Sequence, residues 1–235
     1  MQLLMDESGN GNPDDLLLVG GVAVGPEIDS IEAEMQALYR RWAAQETRFD
    51  GLPSFAEFKR RGFHGTQMPL EVQVALVDFL ASRLDFKVFM LASDRTRMPD
   101  LAEGPRLVLM YLVLLTDIII RFRKHSQIAL KIEENDQLRP HLATIVERAL
   151  ARARLKSAVP IGANVTIAMV PKNEPMATSI IDLYLLTASK WLQAGARRDG
   201  RDYAYRNFAA LESSVSLLKS FETGVLSTRA SRLAL

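Results

Sequence analysis

The chain has 235 residues, with 29 Lys and Arg against 28 Asp and Glu, and no cysteine. That length supports a sizeable core, and a composition 48% hydrophobic and 24% charged excludes a disordered or collagenous chain. The missing cysteines exclude disulfides, thiolate catalysis, iron–sulfur clusters and finger-type zinc, while a net charge of +1 argues neither for nor against nucleic acid.

A short apolar run ends at Asp6, and the stretch that follows, DESGNGNPDD, is dense in turn formers. Residues 16–24 (LLLVGGVAV) are strand-like, so the two runs are expected to form a hairpin. Gly20-Gly21 within the second run is expected to allow close backbone packing or a bulge. Ile31, Met35, Leu38 and Trp42 then recur at helical spacing. Residues 46–68 read as irregular, with 55–59 a short strand or a helical turn. The pattern predicts a helix over 70–84, a strand over 86–92, a long apolar helix over 104–124 and a strand over 128–132. It continues with a helix over 138–153, a strand over 165–170, an apolar helix over 179–192 and a last helix over 203–218.

Residues 107–120 (LVLMYLVLLTDIII) fall short of the ~20 needed to span a bilayer, and Asp117 interrupts them, so a buried core helix is expected. No secretory pattern opens the chain, and a cytoplasmic location with no membrane partner is expected. The element order is an α/β pattern with an antiparallel start and later crossovers, read as one domain over 1–235. Residues 26–84 form a helical insert, and about 196–235 a helical C-terminal extension.

Such sheets place their sites at the carboxyl ends of strands. Acids stand at several of those ends: Asp6 after the first strand, Asp94 after the third, Glu133 and Glu134 after the fourth. Carboxylates gathered together repel, and a divalent metal is the usual reason to tolerate them. Oxygen ligands suit Mg²⁺ or Mn²⁺. Asp182 is the only acid in SIIDLYLLTASKWL. An ionised carboxylate among apolar neighbours needs a metal or a cation such as Lys190 or Arg197.

The opening Met5-Asp6-Glu7-Ser8-Gly9, followed by an apolar strand with Gly20-Gly21, resembles domain-of-unknown-function family 3800, a relative of the ribonuclease H superfamily. The resemblance continues in Glu57-x-Lys59, in Glu133 closing a later strand, and in Asp182 of IIDLYLLTA. It implies a ribonuclease H-like mixed five-stranded sheet with helices on both faces and the helical insert before the third strand. It also implies a divalent-metal-dependent nuclease acting on DNA or RNA, of a kind associated with mobile elements or antiphage defence. Asp6, Glu133 and Asp182 fill that superfamily's metal-site pattern, with Glu57 a candidate fourth ligand and Glu7 a further one. Two Mg²⁺ or Mn²⁺ ions about 3.5–4 Å apart would then activate water and stabilise the leaving oxygen. Asp6 would bridge the ions, Lys59 would stabilise developing charge, and His64 would shuttle a proton. Glu133 departs from the commoner Asp at its place.

Basic residues cluster at 121–125, 148–156 and 197–201, where they complement helix dipoles or meet phosphates. An EF-hand fails because Leu17 occupies its twelfth position, and no phosphate loop or dinucleotide fingerprint is present. The main alternative is a degenerate ribonuclease H-like module that binds nucleic acid or a partner protein without cutting. A third is an interaction protein whose apolar helices form a homo-oligomer interface.

Overall fold

Strand β1 (Gln2–Ser8) turns back into β2 (Leu17–Val24), and four helices follow before the next strand. These are α1 (Ile28–Ala43), α2 (Glu46–Phe49), α3 (Pro53–Arg61) and α4 (Leu70–Ala81). Then come β3 (Lys87–Ser93), α5 (Glu103–Arg121), β4 (Gln127–Glu133), α6 (Leu142–Lys156) and β5 (Asn164–Val170). The chain ends in α7 (Ser179–Gln193), α8 (Tyr203–Leu211), β6 (Val215–Ser220) and β7 (Leu226–Ser227). This computed structural model describes residues 1–12, 14–64, 68–83, 85–95, 98–171 and 174–227.

The strands form one sheet in the order β5-β4-β1-β2-β3-β6-β7. β1, β2 and β3 pair antiparallel, whereas β4 runs parallel to β1 and β5 parallel to β4. These five strands are the ribonuclease H-like mixed sheet, with the helical insert α1–α4 standing between β2 and β3. Strand alternation divides the core into two layers. Leu4, Leu18, Val22 and Val24 face α1, α3, α4, α7 and α8. Leu3, Met5, Leu17 and Val19 face α5 and α6. Helices therefore cover both faces, and among the described residues no helix is long and apolar enough to cross a membrane.

Among the described residues the sheet has seven strands rather than five, and the expected helix over 203–218 is corrected accordingly. α8 stops at Leu211, and Val215 to Leu218 are all buried in β6. β6 lies parallel to β3, with Phe89 opposite Leu217. Its adjacent leucines imitate a helix face, but tertiary pairing along β3, which would otherwise be an open edge, decides the outcome. Residues 46–68 also hold more structure than expected. Pro53 opens α3 and Gly62, at φ 72°, closes it. Phe55 and Phe58 point inward together, Phe55 stacking on Phe49 at 4.9 Å between ring centroids. Leu84, the expected last residue of the fourth helix, and 65–67 in the irregular stretch lie outside the described residues, as do 228–235 of the expected C-terminal extension.

Candidate functional site

Asp6 sits near the carboxyl end of β1 and shares the α7-facing side with Leu4, two residues earlier. Met5 pairs with Ile132 across β1 and β4, and both side chains belong to the α5 layer. One step further, Asp6 and Glu133 therefore stand side by side on the opposite face. Asp182 arrives from the first turn of α7, where a carboxylate also complements the helix dipole.

A glycine determines how closely α7 approaches. Gly20 is the β2 partner of Asp6. A Cβ at Gly20 would lie 2.8 Å from Leu185 Cδ2 and 2.9 Å from Ile181 Cδ1. The bare backbone lets Ile181, and with it Asp182, settle against the sheet beside Asp6.

Asp6 is 7% exposed, and its Oδ1 accepts the Glu7 backbone N–H at 2.8 Å. Its carboxyl is held well above the usual carboxylate range, first by burial and then by the negative charges of Glu7, Glu133 and Asp182, against the lowering pull of that N–H. These groups open on a cleft of about 200 Å³. Ser8, Gly9 and Asn10 also line it, as do Phe63, His64, Thr178, Ser179 and Leu186. His64 Nδ1 lies 3.8 Å from Asp182 Oδ2. That nitrogen is buried without a hydrogen bond among the described residues, as is Ser179 Oγ.

Glu7 occupies the other face of β1. Tyr111 Oη of α5 donates to its Oε2 at 2.7 Å, and Asn135 Nδ2 donates to its Oε1 at 2.5 Å. Asn135 Oδ1 in turn accepts the Gln137 N–H at 2.7 Å and the Leu138 N–H at 3.2 Å. Glu7 thus ties β1 to α5 and to the turn leaving β4, just beyond Glu133. Burial first, and then the charges of Glu7 and Asp6, push the Tyr111 hydroxyl well above its ordinary pKa. Tyr111, Asn135 and Ser179 were not singled out from sequence. Tyr111 carried one signal, a hydroxyl within the apolar stretch 107–120.

The structure brings Asp6, Glu7, Glu133 and Asp182 together and keeps two further candidates apart from them. Glu57 on α3 pairs with Arg60 at 2.5 Å and Arg61 at 3.2 Å. The hydrogen bond from Arg60 is the main reason its carboxyl is held below the usual range. Lys59 pairs with Glu46 at 2.8 Å and lines a separate hollow beside Phe49 and Phe55. Neither borders the acidic cleft; α3 and the residues just after it contribute Phe63 and His64 instead. Glu134 turns outward to Arg139 at 3.1 Å. Among the described residues, no three histidine, aspartate or glutamate side chains are arranged to hold one ion.

No family model matches the chain, and no curated protein matches it. Among solved structures it is similar to a chain of the PCNA:RNase HII complex from Archaeoglobus fulgidus, at 15% identity and a TM-score of 0.43. The similarity covers 89% of this chain and 86% of that one. The fold assignment rests on strand order and direction, not on this likeness.

Proposed function

We propose that the chain is a divalent-metal-dependent nuclease that cleaves phosphodiester bonds of DNA or RNA. The observation that carries this is the buried Asp6 carboxyl, destabilised by Glu7, Glu133 and Asp182 at the mouth of one cleft. A divalent cation relieves that repulsion, and an oxygen-only donor set suits Mg²⁺ or Mn²⁺. Asp6, Glu133 and Asp182 would hold the ions. A bound ion pair supplies a nucleophile at neutral pH and neutralises the leaving oxygen.

The remaining work falls to the chain's own residues. His64 is placed to exchange a proton beside Asp182, and Ser179 Oγ to donate to a phosphate oxygen. Phe63 and Leu186 supply apolar wall that limits water. Glu7 acts through Tyr111 and Asn135 as a positioning group. Glu57 and Lys59 are given no role inside this cleft. The resemblance of the opening residues to domain-of-unknown-function family 3800 suggests phage defence or a mobile element as the setting.

A second reading, a degenerate module that binds nucleic acid or a partner protein without cutting, is favoured by one observation. As arranged, no three of the described acids and histidines meet around a single point. Labelled single- and double-stranded DNA and RNA, incubated with Mg²⁺, Mn²⁺ or EDTA, separate the two. Metal-dependent cutting by wild type but not by Asp6→Ala supports the nuclease. Metal-insensitive retention without cutting supports the binding module.

A further inference from the structure

Part of the cleft lining, Gly9 and Asn10, belongs to a loop that an arginine ties down. The loop joins β1 to β2, beginning with Gly9 and ending with Leu16. Gly9 has φ +83°, and a Cβ there would stand 2.0 Å from the Leu16 carbonyl oxygen, so the two ends of the loop touch. At its β2 end Leu16 packs against the α7-side core, and Gln193 Nε2 donates to Asp15 Oδ1 at 3.0 Å; the Gly9 end is tied differently.

Arg95, just beyond the end of β3, supplies the anchor. Its Nη2 donates to the Gly9 carbonyl at 2.6 Å, and its Nη1 to the Asn12 carbonyl at 2.7 Å and to the Asp15 carbonyl. Glu103, in the first turn of α5, completes the clamp. Its Oε2 pairs with Arg95 Nη2 at 3.0 Å, and its Oε1 accepts the Gly11 N–H at 2.8 Å. Arg95 adopts φ 63°, a left-handed conformation that is costly for a residue with a Cβ and that surrounding contacts must offset. Its base is firmly set. Arg106, 1% exposed, donates to Ser93 Oγ at 3.2 Å and to Glu222 Oε1 at 3.4 Å, locking the end of β3 to the residues after β6.

We propose that Arg95, with Glu103, is a positioning residue for substrate: it holds Gly9 and Asn10, beside Ser8 of β1, as a fixed wall against which the polynucleotide strand is seated. This role rests on the nuclease reading above. The acids themselves stand on paired strands and on α7, outside the clamped loop. Releasing the clamp therefore loosens the substrate wall and leaves the metal ligands in place. A guanidinium is required because one planar fork must reach three carbonyls and a carboxylate, which an ammonium cannot reproduce.

The test compares wild type, Arg95→Ala, Arg95→Lys, Glu103→Gln and a surface control, Arg41→Ala, in cleavage kinetics, Mn²⁺ calorimetry and amide exchange. Arg95→Ala is expected to raise the Gly11 exchange rate, to raise KM by about fivefold or more and to leave kcat and the Mn²⁺ Kd within about twofold. Arg95→Lys should fail to restore KM, and Glu103→Gln should give a smaller rise. An unchanged KM with accelerated loop exchange overturns the proposal, because the loop would then be free of the substrate. An equal loss of Mn²⁺ affinity overturns it too, because the arginine would then be acting through the acids. If wild type neither cuts nor retains any of the four nucleic acids, the nuclease reading fails and this role fails with it. Cutting that Arg95→Ala leaves untouched defeats the clamp alone.

Discussion

Gly20 is the cross-strand partner of Asp6, and the space it leaves is where α7 lays Ile181 and Leu185 to bring Asp182 alongside. A backbone position with no side chain thus couples the packing of a helix to the convergence of two acids from opposite ends of the chain.

Gly20→Val should separate them. Overpacking at this contact is expected to destabilise by about 1–3 kcal/mol. At ~2–4 °C per kcal/mol for a chain of this size, thermal unfolding reads that loss. Mn²⁺ affinity should fall alongside, since Asp182 moves with α7. A destabilised variant that retained full Mn²⁺ affinity would mean that Asp182 is not a ligand.

Asp6→Asn should make the metal-free protein more stable. Burial, together with Glu7, Glu133 and Asp182, raises the Asp6 pKa above its value in the unfolded chain, near ~3.9. Across the window from there up to the folded value, the folded state keeps a proton that the unfolded state has lost. Stability therefore falls as pH rises through that window. In EDTA, Asp6→Asn is expected to flatten this slope and raise Tm at neutral pH, and to lack the Tm rise with Mn²⁺ that is expected of wild type. A lower Tm in EDTA would show that Asp6 is stabilised by its surroundings.

Tyr111→Phe and Asn135→Ala each remove a donor to Glu7. Hydrogen bonds to a charged group contribute about 1.5–3 kcal/mol, so each variant should unfold at lower temperature. Mn²⁺ affinity should weaken as well, because Glu7 fixes the end of β1 next to Asp6. Equal Mn²⁺ affinity in all three proteins would confine Glu7 to a purely structural role.

Glu57→Gln and Lys59→Ala should leave Mn²⁺ affinity within about twofold of wild type, since their partners are Arg60, Arg61 and Glu46 and neither borders the cleft. A tenfold loss in either variant would place α3 in the metal centre after all.

Much of the scaffold was legible from periodicity. Short apolar runs bounded by turn formers and acids located β1 to β5, and the 3.6-residue recurrence of Ile31, Met35 and Trp42 located α1. Asp6 and Glu133 could be named because acids at strand ends are visible one residue at a time, and Asp182 because its neighbours are apolar. What escaped was relational. Arg95 meets the loop 80 to 86 positions earlier, and Asn135 meets Glu7 across 128, so no local pattern marks either. β6 was missed because its pairing with β3 is long-range and its consecutive leucines carry no period of two. Glu57 and Lys59 looked like site residues in the sequence, but α3 turns Phe55 and Phe58 inward and leaves both charges to local partners.

Calorimetric titration of Mn²⁺ into wild type, Asp6→Asn and Asp182→Asn tests most directly whether these acids form one metal centre. Saturable binding to wild type that both substitutions abolish or weaken by about tenfold or more is the expected result. Equal heats for all three proteins, or no binding by wild type at all, would contradict it.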